Sequence, residues 1–200
     1  MRDPSTLDEH EIAERRERMQ AQIPSRFRKW VDPANLPDEV EQWCQNYAEG
    51  SPQSLLLAGT TGTRKTTIAL SALLRAFELR PVVPRVIKAA QLYDELRDAN
   101  QPGGAVDGYS RVLARYCQAP LLFVDDLGAN RNKEFVEEVN YRLTDYRFEN
   151  ELPTIFTTNL GLPAMEETWG SRVYSRVLGM SDLVPFTGRD FRLDRYRRPA

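Results

Sequence analysis

Residues 55–67 read Leu-Leu-Leu-Ala-Gly-Thr-Thr-Gly-Thr-Arg-Lys-Thr-Thr, and this stretch carries the strongest structural signal in the chain. Its four leading apolar residues suit a strand that is buried on both faces of a parallel sheet. Beyond it, small and apolar residues recur at helical spacing, at Ile68, Ala69, Ala72, Leu73 and Ala76. The stretch therefore predicts a strand, a loop and a helix N-terminus, whose N–H groups and partial positive charge attract phosphate.

The loop follows the phosphate-binding pattern G-x-x-x-x-G-K-[ST] at every fixed position except one. In that pattern, Lys65 reaches the β- and γ-phosphates of a nucleotide and Thr66 places its hydroxyl on Mg²⁺. The candidate nucleotide-binding residues are Gly59, Thr60, Thr61, Gly62, Thr63, Arg64, Lys65, Thr66 and Thr67.

Arg64 is the exception, because it occupies the position of the second fixed glycine. Its Cβ restricts the backbone angles, and its long side chain lies where a glycine lets the backbone approach the phosphates. Two outcomes are open. The guanidinium swings outward and leaves a weaker site, or it occupies the phosphate site and blocks it. The added positive charge near phosphate would partly offset the steric cost.

Two further strands end in polar residues. Residues 121–124 are apolar and precede Asp125 and Asp126, which places both acids at the carboxyl end of a buried strand, where open α/β sheets bind ligands. Asp125 is then the candidate Mg²⁺ ligand, and Asp126 the group that orients or deprotonates the attacking water. Asn159 follows the strand at 153–157 and is a candidate sensor of the γ-phosphate or of that water.

Arg172 and Arg176 are four residues apart, so a helix would place them on one face. An arginine that reaches the γ-phosphate of a neighbouring subunit is a recurring way to complete a nucleotide site. Both residues are therefore candidate catalytic arginines.

Composition indicates one soluble domain, with 200 residues, 41% hydrophobic and 28% charged. No apolar run is long enough to span a membrane. Cys44 and Cys117 lack metal-ligand spacing and indicate reduced thiols in a cytoplasmic protein. The net charge of −2 argues against indiscriminate nucleic-acid binding by the whole surface. The arginine-rich last dozen residues are either a solvated tail or a contact with nucleic acid or a neighbouring subunit.

The remaining pattern alternates strands with helices. Strands are predicted at 54–58, 82–87, 121–124, 153–157 and 183–186, and helices at 8–22, 38–48, 65–78, 89–99, 109–118, 132–149 and 170–179. The helix at 132–149 is expected to present Phe135, Val139, Leu143 and Tyr146 on one side. The alternation predicts a three-layer α/β fold with a mostly parallel sheet.

Taken together, these motifs resemble the AAA+ ATPases of the DnaC/IstB group, the helicase loaders and the ATPase helpers of transposases. The similar segments are residues 23–27, 59–67, 121–128, 147–149, 153–159, 170–178 and 188–192. The resemblance implies a P-loop AAA+ core at 23–200 that ends in a short basic tail and has no C-terminal helical lid. Residues 1–22 would be a charged arm able to dock a partner.

The resemblance also implies ATP and Mg²⁺ as ligands, with single-stranded DNA and a replicative helicase or transposase as partners, and a homo-oligomer on DNA. By motif, Asp125 matches the metal ligand, Asp126 the catalytic acid and Asn159 the first sensor. Arg176 is the preferred arginine finger and Arg172 the second choice.

Three functions are compatible with these residues. The first is an ATP-hydrolysing, helicase-loader-like replication factor, and the second is an IstB-type transposition helper. In the third, Arg64 has turned the fold into a binding module that does not use ATP productively.

Overall fold

The computed structural model describes residues 7–101, 107–128, 133–188, 190 and 191, and its centre is a five-stranded sheet. The strands are β1 (Ser54–Gly59), β2 (Arg85–Lys88), β3 (Leu122–Asp125), β4 (Thr154–Thr158) and β5 (Ser181–Phe186). They lie in the order β2-β3-β4-β1-β5, and every neighbouring pair is parallel. The predicted α/β class with a parallel sheet is confirmed.

Helices connect the strands and include each of the seven that the sequence predicts. They are α1 (Glu9–Ala21), α2 (Ser25–Arg28), α3 (Asp38–Ala48), α4 (Lys65–Leu79), α5 (Ala89–Ala99), α6 (Gly108–Cys117), α7 (Lys133–Glu149), α8 (Leu162–Trp169) and α9 (Ser171–Met180). The short α2 and the eight-residue α8 were not predicted. Pro163 lies in the first turn of α8, where backbone N–H groups have no acceptor within the helix, so the lack of an N–H in proline breaks no helical hydrogen bond.

The helices form two layers, one on each face of the sheet. Helices α1, α3 and α4 pack on the face that Leu55 and Leu57 of β1 present. Helices α5, α6, α7, α8 and α9 pack on the opposite face, against Leu56 and Ala58. This alternation along β1 is what a strand buried on both sides requires, and the two layers enclose the sheet completely at its centre.

Helix α1 contacts the rest of the chain although its sequence is densely charged. Asp8 and Glu11 form a reciprocal capping box at its start. Met19 is fully buried, and the Gln22 side chain donates to the Pro84 carbonyl oxygen at 2.6 Å and accepts from the Val86 N–H at 3.0 Å. These contacts hold α1 beside β2.

Strand β2 begins at Arg85, three residues later than the sequence predicts. The Val82 N–H donates to the Arg80 carbonyl oxygen at 2.6 Å, so the chain turns there. Pro84 has no N–H to offer a neighbouring strand. The apolar residues of this segment are partly or fully buried without belonging to the sheet.

The buried face of α7 differs from the prediction. Val139 and Leu143 are buried as expected, but Tyr146 is 37% exposed, and Arg147 takes the inner position with no exposed surface. A hydropathy pattern assigns arginine to the surface, so it could not indicate this.

Arg147 is accommodated because its guanidinium donates five hydrogen bonds. Their acceptors are Thr154 Oγ1 and the carbonyl oxygens of Tyr116, Cys117, Ala119 and Pro153, at 2.6 to 3.0 Å. Burial lowers the pKa of Arg147 to about 10. The side chain thereby fastens the end of α6 and the start of β4 to α7.

Both cysteines are buried and unpaired, as the sequence predicts. Burial raises the pKa of Cys44 to about 12 and that of Cys117 to about 11. No helix among the described residues is both long and apolar enough to cross a bilayer. Residues 102–106 and the arginine-rich tail beyond Phe191 lie outside the described residues.

Candidate nucleotide-binding site

The strand order brings the predicted site residues to one edge of the sheet. Strand β4 lies between β1, which leads into the loop, and β3, which ends at Asp125. All three strands point the same way, so their carboxyl ends meet at the N-terminus of α4. Asn159 follows β4 and consequently lies between Lys65 and Asp126.

The loop from Gly59 to Lys65 contains three residues with positive φ. Gly59 (φ 147°) passes so close to β5 that a Cβ there would collide with the Phe186 carbonyl oxygen, and a Cβ on Gly62 (φ 81°) would collide with the Asp190 carboxylate. Arg64 has φ 67° and ψ 14°, a left-handed conformation that glycine adopts without strain and other residues rarely adopt. The loop therefore keeps the backbone that a glycine at position 64 would favour.

The Lys65 ammonium lies inside the loop. It donates to the carbonyl oxygens of Gly59 and Thr60, both at 2.7 Å, and to Asn159 Oδ1 at 2.9 Å. Lys65 is buried, and its ammonium is held where the loop, α4 and β4 meet. Of the nine candidate loop residues, Gly59 and Thr60 do not line the cavity, and their carbonyl oxygens hold Lys65 in place.

Thr66 and Asp125 are joined directly. The Thr66 hydroxyl donates to Asp125 Oδ1 at 2.7 Å, and the Thr157 hydroxyl donates to the same oxygen at 2.8 Å. Thr157 Oγ1 in turn accepts from the Asp126 N–H at 2.8 Å. Thr157 therefore fixes the orientation of Asp125 and the backbone of Asp126. Thr157 was not predicted as a site residue, although its place near the end of β4 is a usable signal.

Asp126 and Asn159 form a second pair. The Asn159 amide donates to Asp126 Oδ1 at 2.6 Å while its oxygen accepts from Lys65. Both residues are exposed at the mouth of the site. Asp126 has φ 61°, a second non-glycine residue in the left-handed region at this edge. Asn159 thus links the loop lysine to the second acid of β3.

The Arg64 side chain is turned away from the loop interior. Its guanidinium carbon lies 4.2 Å from the centre of the Phe191 ring, and the residue is exposed. The Phe191 N–H donates to the Gly62 carbonyl oxygen at 3.2 Å, so the segment after β5 rests on the loop. Arg64 is thus held against Phe191, and both residues line the same cavity.

These groups surround a cavity of about 700 Å³. Its lining residues are Arg26, Phe27, Trp30, Thr61, Gly62, Thr63, Arg64, Lys65, Thr66, Thr67, Lys88, Asp125, Asp126, Thr157, Asn159 and Phe191. The volume and the mixture of aromatic rings with cations suit a nucleotide. Trp30, Lys88 and Phe191 were not predicted as site residues. They come from the turn after α2, from β2 and from the segment after β5, whose positions depend on the tertiary fold.

The donor set fits Mg²⁺ held jointly by protein and phosphate. Among the described residues no cluster of three or more His, Cys, Asp or Glu side chains could hold a metal alone. Thr66 and Asp125 supply one hydroxyl and one carboxylate, and Mg²⁺ commonly takes few protein ligands and completes its octahedron with water and substrate phosphate.

Arg172 and Arg176 do not line this cavity. Arg176 Nε donates to Asp145 Oδ1 at 2.9 Å, and its guanidinium carbon lies 4.7 Å from the Phe148 ring centre. The guanidinium carbon of Arg172 lies 5.8 Å from the Tyr141 ring centre. Both belong to the surface formed by α7 and α9. Within one chain, neither arginine lines the loop cavity.

Similarity to solved structures was found, whereas no protein-family model and no curated protein sequence matches the chain significantly. The DnaC helicase loader superposes with a TM-score of 0.69 and 20% identity over 82% of this chain and 100% of that one. DnaI gives 0.67 and 17% identity, covering 86% and 98%.

The replication initiator DnaA, bound to AMPPCP and single-stranded DNA, is also similar. It gives a TM-score of 0.61 and 16% identity over 85% of this chain and 54% of that one. At such identities the likeness establishes the fold alone. This chain therefore has the fold that the DnaC helicase loader, DnaI and DnaA share.

Proposed function

We propose that this chain binds ATP with Mg²⁺, hydrolyses it, and acts on DNA in replication as a helicase-loader-like AAA+ protein. The observation that carries the proposal is the hydrogen-bonded network at the carboxyl edge of the sheet. Lys65 is bonded to Asn159, Asn159 to Asp126, and Thr66 to Asp125. These side chains come from three separate parts of the sequence, and each has the chemistry that phosphoryl transfer requires.

Binding uses the loop and the first turn of α4. The Lys65 ammonium donates hydrogen bonds to carbonyl, hydroxyl and amide oxygens of the site. Phosphate oxygens carry more negative charge than these acceptors, so they attract the ammonium more strongly. Thr66 and Asp125 would hold Mg²⁺, which neutralises charge on the phosphates.

Hydrolysis uses the second pair. Asp126 lies exposed at the mouth of the site, where water has access, and Asn159 holds one of its carboxylate oxygens. Asp126 would accept a proton from the attacking water while Asn159 keeps the carboxylate in position. Because Asn159 also contacts Lys65, it is suited to link phosphate binding at Lys65 to the orientation of the attacking water at Asp126.

An arginine from a second copy would complete the site. Arg176 and Arg172 lie outside the cavity of their own chain, on the α7 and α9 surface. We expect that surface to face the loop of a neighbour in a homo-oligomer assembled on single-stranded DNA. Arg176 is the preferred finger, and its release from Asp145 on assembly would accompany the contact.

The experiment is steady-state ATP hydrolysis with Mg²⁺, with and without single-stranded DNA. We expect DNA to stimulate hydrolysis by promoting assembly. Asp126→Asn should lower the rate by about 10²–10⁴-fold, the usual contribution of a general base. Its binding of MgATP should change little. Hydrolysis by Asp126→Asn at the wild-type rate would contradict the assignment of the catalytic acid.

Arg176→Ala tests the finger separately. It should lower DNA-stimulated hydrolysis strongly while leaving MgATP binding by the isolated chain unchanged. Mixing Arg176→Ala with Asp126→Asn should restore part of the activity, because each copy supplies what the other lacks. No recovery in the mixture, or full activity of Arg176→Ala alone, would argue against a shared site.

The partner is proposed from the fold and motifs together. A replicative helicase is the first candidate, since DnaC is a helicase loader. A transposase is the alternative, as for an IstB-type helper. Co-purification with each candidate encoded beside this chain distinguishes them. Action on DNA in this role places the protein in the cytoplasm.

Arg64 supports a second candidate, a binding module impaired in ATP use. Its left-handed backbone is strained, and its side chain lines the cavity. Calorimetric titration of wild type and Arg64→Gly with MgATP distinguishes the two candidates. Similar affinities favour a working ATPase, whereas a large gain on introducing glycine favours impairment. We expect similar affinities, because the backbone at Arg64 already has the left-handed conformation that a glycine there would favour.

A further inference from the structure

Lys88 is a cation at the site edge that the phosphate-binding motif does not require. It is the last residue of β2, and its backbone is held by the neighbouring strand β3 and by the helix α5 that follows. Its Cα pairs with Asp125 in the parallel register of β2 and β3, and the next residue, Ala89, is buried as the first residue of α5. The backbone of Lys88 is therefore held beside the candidate metal ligand.

The pleat of β2 determines the face on which Lys88 projects. Ile87 belongs to the hydrophobic cluster on the α5–α9 face, and Val86 packs against the cluster on the α4 face. Side chains alternate along a strand, so Lys88 projects on the same face as Val86. Asp125 projects there too, because it accepts from Thr66 of α4. Lys88 and Asp125 are neighbours on the face where the phosphates would lie.

The contacts of Lys88 indicate that its charge is available to a ligand. The side chain is exposed and lines the cavity. Within the part of the chain that the structure describes, its ammonium forms no ion pair with Asp125, Asp126 or any other carboxylate. Adjacent strands are about 4.8 Å apart, and the four-carbon stem of lysine reaches across such a spacing.

The charge balance of the cavity gives a reason for this cation. Four cationic side chains line it, those of Arg26, Arg64, Lys65 and Lys88. Among the described residues that line the cavity, the acids are Asp125 and Asp126. The cavity therefore has an excess of positive charge, which complements a Mg²⁺-bound triphosphate because that complex is still anionic. Lys88 is the cation on the far side of the acids from the loop.

We propose that Lys88 contacts the terminal phosphate of the bound nucleotide and makes the site prefer a nucleoside triphosphate to a diphosphate. The inference rests on the proposed function, since it concerns the same cavity. A contact made only with the last phosphate strengthens binding of the triphosphate alone. Lys65 and the loop, in contrast, also contact the β-phosphate, which both nucleotides possess.

The test compares Lys88→Met with Arg85→Met by calorimetric titration with a non-hydrolysable ATP analogue and with ADP, both with Mg²⁺. Each variant removes one positive charge from an exposed residue of β2, and Arg85 does not line the cavity. Lys88→Met should weaken the triphosphate analogue about tenfold, as expected for one charge-assisted hydrogen bond, and leave ADP within about twofold. Arg85→Met should leave both affinities unchanged.

Lys88→Arg should keep most of the preference, because a guanidinium can replace the ammonium as a donor. An unchanged affinity ratio in Lys88→Met would overturn the inference. An equal loss of affinity for both nucleotides would also overturn it, because that result would mean that the charge of Lys88 attracts any anionic ligand in the cavity. If wild type binds neither nucleotide, the proposed function fails as well. If Lys65→Ala loses nucleotide binding and Lys88→Met leaves the ratio of triphosphate to diphosphate affinity unchanged, the inference alone is wrong.

Discussion

Two arginines at opposite ends of the sheet are held in contrasting ways. Arg147, beside the amino ends of β3 and β4, is completely buried, and its guanidinium donates five hydrogen bonds. Arg64, at the carboxyl end of β1, is exposed, has a left-handed backbone and stacks on the Phe191 ring. The hydrogen bonds of the Arg147 guanidinium are all made within the protein, whereas the Arg64 guanidinium lies where a bound ligand can change its contacts.

The difference separates a structural end of the sheet from a functional one. At the amino end, carbonyl oxygens from the end of α6, from Ala119 after it and from the residue before β4 accept hydrogen bonds from Arg147, so they are not available to a ligand. At the carboxyl end, Asp126 and Asn159 are exposed, and two non-glycine residues have strained backbones. Such strain persists where the surroundings enforce it, and it concentrates at functional sites.

The largest effect on stability should come from Arg147→Ala. The substitution leaves four carbonyl oxygens and the Thr154 hydroxyl without their donor in a buried region, and it removes a large buried side chain. We expect the free energy of unfolding to fall by about 3–5 kcal/mol. Urea denaturation monitored by circular dichroism measures the change.

Arg142→Ala is the matched control on the same helix. Arg142 is about half exposed and pairs with Glu138, so its loss should cost less than about 1 kcal/mol. A similar small effect for both variants would mean that the Arg147 network does not stabilise the fold, and the contrast between the two ends would disappear.

A smaller effect of opposite sign is expected from Arg64→Gly. Glycine adopts φ near 67° without the steric penalty that other residues incur, so the variant should be more stable by about 1 kcal/mol. Arg64→Ala retains the strained Cβ and should show no such gain. Thermal unfolding of both variants decides the matter, and a gain in Arg64→Ala equal to that of Arg64→Gly would refute backbone strain as the cause.

The smallest effect concerns the contact between Arg64 and Phe191. A double-mutant cycle of Arg64→Ala and Phe191→Ala should give a coupling energy of about 0.5–1 kcal/mol, typical of an exposed cation–π pair. Unfolding free energies of the four proteins supply the cycle. Additive effects would show that the stacking does not hold the segment after β5 to the loop.

The sequence predicted the parts of the fold that depend on local pattern. The apolar strands β1, β3 and β4 and the helix α4 were placed within a residue or two, because buried strands and an apolar helix face leave clear periodicity. The short α2 was missed because a helix of four residues is too short to show a helical periodicity in the sequence. On α7, the pattern assigned Tyr146 rather than Arg147 to the inner face.

The candidate site was predictable as a set of residues but not as an arrangement. The loop and the two acids were evident from motif and position, whereas the strand order that places Asn159 between them is a tertiary property. Lys88 contributes through its register with Asp125, which leaves no sequence pattern. Thr157 contributes one hydroxyl, and its place near the end of β4 was the signal that could have identified it. Phe191 enters the cavity only because the chain returns across the loop after β5.

The most direct test of the central claim is the affinity of MgATP for wild type and Lys65→Ala, measured by isothermal calorimetry with Arg85→Ala as the charge-matched control. The account predicts saturable binding by wild type and by Arg85→Ala, with a loss of at least about tenfold in Lys65→Ala, since a charge-assisted contact with phosphate is removed. Equal affinity of Lys65→Ala and wild type, or no binding by any of the three proteins, would contradict it.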